Sequence, residues 1–278
     1  MLRDVAHCLA LAASFGLDRL DAQLLLAHHL GQQRTWVIGH GDAMVADALA
    51  TAYEGDCRRR ADDWPLAYLL GQREFRGLML KVTPAVLVPR PDTETLVDWA
   101  IECCRSLPAE GAQVLDLGTG TGAIALSLVH DLSGTRTQVT ATDLSADALE
   151  VARANADRLS LRLELRQGPW WQAVAQLRFD LVVSNPPYIA EGDEHLSALR
   201  HEPRLALTSG ADGLDALRQI VAGAPQHLKP GAWLLLEHGS DQAQAVRALL
   251  EKAGFESIAS RRDLAQRDRC TGGQWAGQ

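Results

Sequence analysis

Lysine is nearly missing from this chain. Of 27 basic residues only three are lysine: Lys81, Lys229 and Lys252. We read that as a compositional bias of the source and not as function. An excess of positive charge is also missing, since 35 acidic residues outweigh the 27 basic ones and leave a net charge of −8. A free-standing nucleic-acid binder usually shows a basic face in its total, and this total shows none. Cysteine is sparse, scattered and odd in number: Cys8, Cys57, Cys103, Cys104 and Cys270, with no Cys-x-x-Cys pair. That pattern indicates neither a disulfide framework nor a metal site, and it fits a reducing cytosol. No apolar run approaches the roughly 20 residues needed to span a membrane. Internal repeats and low-complexity tracts are also lacking.

What is present is core-forming. The chain has 278 residues, 47% of them apolar, enough for one large or two modest domains. Charge is unevenly spread: residues 1–90 carry ten basic and ten acidic groups, residues 91–278 carry 17 and 25.

The first 73 residues read as helical. Leu2, Val5, Leu9 and Ala12 have helical spacing, and Asp4 and His7 interrupt the apolar start, so a first amphipathic helix is expected rather than a signal peptide. Asp18 can cap a second helix, with Leu20, Leu24, Leu25 and Leu30 mostly on one side and Gly31 at its end. His28 and His29 sit in its last turn, where they suit the negative end of the helix dipole. A further helix is expected through Val45 to Tyr53. Arg58-Arg59-Arg60-Ala61-Asp62-Asp63 is mixed in sign and reads as a solvated helix end. The texture changes after Trp64-Pro65. Phe75–Val82 and Ala85–Val88 read as two strands broken at Thr83-Pro84, a hairpin linking two domains. Asp92 or Thr93 then caps a helix with Leu96, Val97 and Ile101 on its buried stripe.

From residue 112 strands and helices alternate. Strands are expected at 113–117, 138–142, 161–165, 179–184 and 232–237, with one or two more in the tail. Helices are expected at 122–130, 146–159, 214–228 and 241–253. Alternation of this kind predicts an α/β fold, an open, mostly parallel, Rossmann-like sheet with helices on both faces. Such sheets bind ligands beyond the carboxyl ends of their strands.

Two motifs sit at such ends. Asp116-Leu117-Gly118-Thr119-Gly120-Thr121-Gly122 joins a strand to a helix. Its glycines let backbone pass close under a ligand, and the helix start offers free N–H groups. The spacing is neither the Gly-x-Gly-x-x-Gly fingerprint nor a Walker loop. Asp143 ends the next strand, where an acidic side chain accepts hydrogen bonds from both ribose hydroxyls. It can also cap the helix at Ala146. Gln167-Gly168-Pro169-Trp170-Trp171 follows the third strand, and either tryptophan could stack on a base. The second motif is Ser184-Asn185-Pro186-Pro187-Tyr188. The prolines stiffen the backbone and lack N–H groups, so carbonyls are offered without competing donors. Asn185 adds a side-chain carbonyl and Tyr188 a flat face. The set suits a planar –NH2 group, and a plain Asn-Pro turn is the bland alternative.

Together these features resemble a class I S-adenosylmethionine-dependent methyltransferase with an Asn-Pro-Pro-Tyr motif. More closely, the chain resembles the HemK/PrmC family, the protein-(glutamine-N5) methyltransferases of peptide chain release factors. Pro89-Arg90-Pro91-Asp92-Thr93-Glu94, Asp116 to Gly122, Asn185 to Tyr188, Glu202-Pro203 and Leu234-Leu235-Leu236-Glu237-His238-Gly239 carry the resemblance in order, as does Trp64-Pro65-Leu66-Ala67-Tyr68 in the helical segment. The resemblance implies three parts: a helical substrate-recognition domain at 1–73, a β-hairpin linker at 74–90 and a methyltransferase domain at 91–278. It implies that Gly118, Thr119, Gly120, Thr121 and Gly122 hold the methionine moiety of S-adenosyl-L-methionine. Asp143 would bind its ribose, and Trp170 would lie beside the adenine, with Asn185 bordering the cofactor. Asn185, Pro186, Pro187 and Tyr188 would bind the substrate glutamine, with Asn185, Pro186 and Tyr188 carrying the chemistry. Pro169 departs from the pattern, since an acidic residue is common there. The implied product is S-adenosyl-L-homocysteine. The expected setting is a cytoplasmic monomer acting on release factors, with no nucleic-acid substrate and no membrane contact. Two rivals remain: an exocyclic-amine methyltransferase of DNA adenine or rRNA guanine, and a non-enzymatic adenosine-binding module. The acidic catalytic half argues against the first, the Asn-Pro-Pro-Tyr motif against the second.

Overall fold

The computed structural model describes residues 3–107 and 111–277. Leu2, expected in the first helix, lies outside them. The chain divides into two compact units, residues 1–72 and 73–278.

In the first unit β1 (Arg3–Asp4) leads into α1 (Val5–Ser14), and α2 (Arg19–Leu30) and α3 (Arg34–Gly39) follow. Then come β2 (Met44–Val45), α4 (Asp47–Ala61) and α5 (Leu66–Leu70). Asp18 caps α2 through its side chain, which accepts from Asp21 N, and Gly31 closes it with φ +61°. Val45 is not helical: it pairs with Arg3 in a two-stranded ladder, and α4 begins two residues later and runs on to Ala61. Arg58 and Arg59 each form ion pairs within α4, with Glu54 and Asp56, and Arg60 reaches Asp21 of α2 at 2.6 Å. Val5, Leu25, Leu26, Tyr53 and Cys57 fill this unit's own core.

The hairpin is shorter than expected and its turn falls elsewhere. β3 (Gln72–Phe75) and β4 (Leu78–Lys81) meet at Arg76-Gly77, whose φ angles of +49° and +76° suit a tight two-residue turn. Residues 85–88 form no strand. Asp92 and Thr93 do not cap with their side chains. A 3-10 turn at Pro91–Thr93 leads into α6 (Glu94–Ser106), which buries Leu96, Val97 and Ile101 as its spacing requires.

The remaining elements are β5 (Gln113–Leu117), α7 (Ala123–Asp131), β6 (Gln138–Asp143), α8 (Ala146–Leu159) and β7 (Glu164–Gln167). After them come β8 (Phe179–Ser184), α9 (Asp215–His227), β9 (Leu228–Glu237), α10 (Ala243–Lys252), β10 (Phe255–Arg262) and β11 (Asp268–Trp275). Seven strands form one sheet in the order β10-β11-β9-β8-β5-β6-β7. The five from β9 to β7 are parallel, and β11 and β10 add an antiparallel edge. One apolar layer centres on α6 and α7, the other on α9 and α10. β7 starts three residues later than expected. Ser160 ends α8 in the left-handed conformation, and Leu161 and Leu163 pack on the core before pairing begins at Glu164.

β5 lies between β6 and β8, so chain order reverses beside it. This is the switch point at which open parallel sheets leave a crevice. The ends of β5, β6 and β8 carry the glycine loop, Asp143 and Asn185.

In the tail, Gly272-Gly273-Gln274 places a glutamine inside the sheet. These residues pair with Leu235, Leu234 and Trp233 of β9, and the Gln274 amide donates to Gly231 O at 2.8 Å. Its nitrogen is therefore held in place and far from free. Peptide mass spectrometry of the protein after turnover is expected to show no methyl group on Gln274. A methylated Gln274 would mean self-modification.

Candidate active site

A cavity of about 380 Å³ opens at the switch point, a size suited to a nucleoside-bearing ligand. Gly118, Thr119, Gly120 and Thr121 form its floor, Asp143 and Leu144 one side, Trp170 another. Asn185, Pro187, Arg90, Thr93, Pro203 and Leu205 also line it.

The floor is built from left-handed backbone that glycine adopts freely. Gly118, Gly120 and Gly122 have φ of +75°, +55° and +82°, a region that side chains with a Cβ rarely adopt. At Gly120 a Cβ would meet no protein atom within 4 Å. The space above it is open, as a cradle for a ligand requires. Gly122 does not line the cavity. It begins α7, and a Cβ there would come within 3.0 Å of Leu126. Asp116 braces the loop from below: it is fully buried and accepts from Thr119 Oγ1 at 2.7 Å. Burial pushes its carboxyl up to about 7. Asn155, buried on α8, adds a second brace. Its amide donates to Thr121 O and Lys81 O and accepts from Lys81 N, so one side chain ties β4 to the loop.

Asp143 accepts from Gly120 N and Ser145 N, both at 2.9 Å. Burial raises its pKa, and these backbone N–H groups oppose the rise. It is not the cap of α8. Ser145 takes that role by accepting from Ala148 N. An ionised carboxylate has about four acceptor sites, so room remains on Asp143 for a hydroxyl.

The two tryptophans separate cleanly. Trp170 lines the cavity, and its ring lies 3.6 Å from where a Gly118 Cβ would stand. Trp171 is buried, donates Nε1–H to Ile220 O at 3.0 Å and stacks on His227.

In the tetrapeptide, Asn185 Nδ2 donates to Thr93 Oγ1 at 3.2 Å. That contact turns the Asn185 carbonyl oxygen away from Thr93. Pro186 is buried, and Tyr188 is half-buried with its hydroxyl donating to Glu237 Oε1 at 3.4 Å. Neither lines the cavity. Burial and the Glu237 charge raise the Tyr188 pKa, so the phenol stays protonated. Glu202 is also buried, accepts from Val88 N at 3.1 Å and pairs with Arg90. The segments around Arg90 and Glu202, 112 residues apart, are thereby pinned together beside the site.

The sequence alone suggests no role for Asn155 or Glu237, and for Thr93 only that of a helix cap. Asn155 left a trace, since it interrupts the stripe Ala148, Ala152, Asn155, Ala156 on a helix face. Thr93 and Glu237 sat in quoted motifs, but their contacts cross the fold and leave no local pattern.

The Methyltransferase small domain model matches residues 101–257, and the PrmC N-terminal domain model matches residues 1–71. Release factor glutamine methyltransferase of Bordetella pertussis is 50% identical over 95% of this chain and 97% of its own length. The chain belongs to the release factor glutamine methyltransferase family. The Xylella fastidiosa member is 48% identical over 96% of each chain. Solved methyltransferases share the fold at lower identity. A Pyrococcus furiosus methyltransferase has a TM-score of 0.53 at 22% identity, covering 73% of this chain and 91% of that one. The Thermus thermophilus 16S rRNA N2 G1207 methyltransferase, in complex with AdoMet and guanosine, has a TM-score of 0.56 at 19% identity, covering 73% and 49%. The fold is the class I methyltransferase fold with an N-terminal helical domain, as its motifs implied. The protein is an S-adenosylmethionine-dependent methyltransferase. Its open glycine cradle and the Asp143 carboxylate fit that cofactor. No helix among the described residues is long and apolar enough to cross a membrane.

Proposed function

We propose that the protein methylates the side-chain amide nitrogen (N5) of the glutamine in the Gly-Gly-Gln motif of peptide chain release factors. The observation that carries this reading is the Asn185 amide, tied by Nδ2 to Thr93 with its oxygen left to accept. Family membership along nearly the whole chain supports the same substrate.

Bound S-adenosylmethionine supplies a methyl group activated by its sulfonium. Gly118 to Thr121 hold the methionine moiety, Asp143 the ribose, and Trp170 stands beside the adenine. The substrate amide nitrogen is a weak nucleophile, because its lone pair is shared with the carbonyl. No base is needed to remove a proton first; position is. Asn185 Oδ1 and the Pro186 carbonyl each accept one amide N–H. Their dipoles would stabilise positive charge as the N–CH3 bond forms and the S–CH3 bond breaks, leaving S-adenosyl-L-homocysteine. The surplus N–H proton would then pass to water. Pro187 walls the amide, and Tyr188 stiffens the motif from behind through Glu237. Residues 1–72 recognise the protein that bears the glutamine. The enzyme acts as a cytoplasmic monomer.

The test is methyl transfer from labelled cofactor. A release factor is expected to be labelled, its Gln→Ala form not, and DNA or rRNA not. A short Gly-Gly-Gln peptide should be a poorer substrate through a raised KM. Equal labelling of the factor and its Gln→Ala form, or preferred labelling of DNA or rRNA, would contradict the assignment.

A further inference from the structure

We propose that Gln242 is a positioning residue for methyl transfer: by holding the Tyr188 carbonyl it fixes the direction in which the Pro186 carbonyl faces the acceptor nitrogen. This rests on the reading of Asn185 to Tyr188 as the amide clamp.

The clamp has few free torsions. The rings of Pro186 and Pro187 fix φ at both residues. A following proline also restricts Asn185 and Pro186. What remains is a stiff bridge, and a stiff bridge is aimed by its two ends. The first end is built into the sheet. Ser184 pairs with Leu117 on one side and Leu236 on the other, and its hydroxyl donates to Leu117 O at 2.6 Å. The second end has left β8, so the ladder no longer holds it.

The peptide unit between Tyr188 and Ile189 is the second anchor. Its N–H, on Ile189, donates to Leu207 O at 2.9 Å. Its carbonyl, on Tyr188, accepts from Gln242 Nε2 at 3.0 Å. Gln242 stands at the start of α10, and its Oε1 accepts from Gly239 N at 2.9 Å. A backbone N–H can only donate, so Gly239 takes the amide oxygen and Tyr188 the –NH2 group. Gly213 closes the anchor from another segment. Its φ is +75°, and a Cβ there would lie 2.2 Å from Tyr188 O and 2.8 Å from Gln242 Nε2. Glycine alone admits both that backbone turn and that contact. The Tyr188 hydroxyl reaches Glu237 at 3.4 Å, which holds the ring and not the backbone.

Neither Gln242 nor Gly213 lines the cofactor cavity. Without the Gln242 donor the Tyr188 carbonyl can turn, and the stiff prolines pass that turn back to Pro186. A carbonyl dipole stabilises developing charge only while it is aimed at it. The loss should therefore fall on turnover and spare the cofactor.

The experiment compares Gln242→Glu, Gln242→Ala, Gly213→Ala and Asn185→Ala in the full chain. It measures kcat at saturating cofactor and release factor, with cofactor Kd and stoichiometry by calorimetry. Gln242→Glu keeps an acceptor for Gly239 N but, charged, cannot donate to Tyr188 O. Gln242→Ala removes both bonds. Each is expected to lower kcat on the order of 10- to 100-fold, the range for misplaced reacting groups. Each should still bind one cofactor per chain with a nearly unchanged Kd, which excludes loss of folded protein as the cause. Gly213→Ala should show the same signature, because its methyl group displaces the Tyr188 carbonyl. If Gly213→Ala does not fold, the two Gln242 variants decide alone. Gln242→Glu turnover within twofold of wild type overturns the proposal, whether or not Gln242→Ala is impaired. A cofactor Kd that rises in step with the loss of kcat overturns it as well. Collapse of Asn185→Ala beside a normal Gln242→Glu removes this inference and leaves the clamp standing. A normal Asn185→Ala removes the clamp itself.

Discussion

Asn185→Ala is expected to lower kcat by roughly 10²–10³, or about 2.7–4 kcal/mol, the loss seen when one pre-organised transition-state partner is removed. The proposed acceptor bond to the substrate amide is weak in the ground state. It strengthens as the nitrogen becomes cationic, so the loss should fall on kcat more than on KM. Asn185 also lines the cofactor cavity, so a modest rise in cofactor Kd is allowed. The fold should hold. Asn185 is half-buried and makes one side-chain hydrogen bond, to Thr93, worth about 1 kcal/mol. Single-turnover rates at saturating cofactor, with a thermal melt as control, measure the effect. A rate within a few-fold of wild type would reduce the tetrapeptide to a rigid turn.

Asp143→Ala should act on the other side of the site. Its carboxylate holds Gly120 N and Ser145 N, and in the proposed site it also accepts from the ribose hydroxyls. Hydrogen bonds to a charged group contribute about 1.5–3 kcal/mol. Losing them should raise the cofactor Kd roughly 10- to 150-fold. The ribose does not change during methyl transfer, so this binding is felt equally by ground and transition states. Turnover at saturating cofactor should therefore stay near normal. Calorimetric Kd values beside saturated kcat separate the two. A collapse of kcat at unchanged Kd would move Asp143 into the chemistry.

Much of the sheet was legible because its strands and helices are long and strongly patterned. β5, α8 and β8 match their expected spans. Errors gathered where apolar residues pack without ladder partners. Leu161 and Leu163 look like a strand but only cover the core before β7, and Ala85, Val86 and Leu87 line the cavity in a segment that forms no strand. Val45 looked helical because local propensity says nothing of its partner Arg3, over 40 residues away. The glycine loop, Asp143 and Asn185 were visible since each sits at a strand end with an unusual residue type. Their supports were not. The Thr93–Asn185 contact spans 92 residues and the Arg90–Glu202 pair 112. Trp170 and Trp171 are adjacent in sequence, and only the backbone, with φ +41° at Trp170, sends one to the cavity and the other to the core.

The most direct test of the central claim is to locate the transferred methyl group. A release factor incubated with the enzyme and S-adenosylmethionine is digested and sequenced by tandem mass spectrometry. The account predicts a single added methyl group on the side-chain amide of the Gly-Gly-Gln glutamine, present with wild type and strongly reduced with Asn185→Ala. A methyl group on any other residue of the factor, or on that glutamine at equal rates with both enzymes, would contradict it.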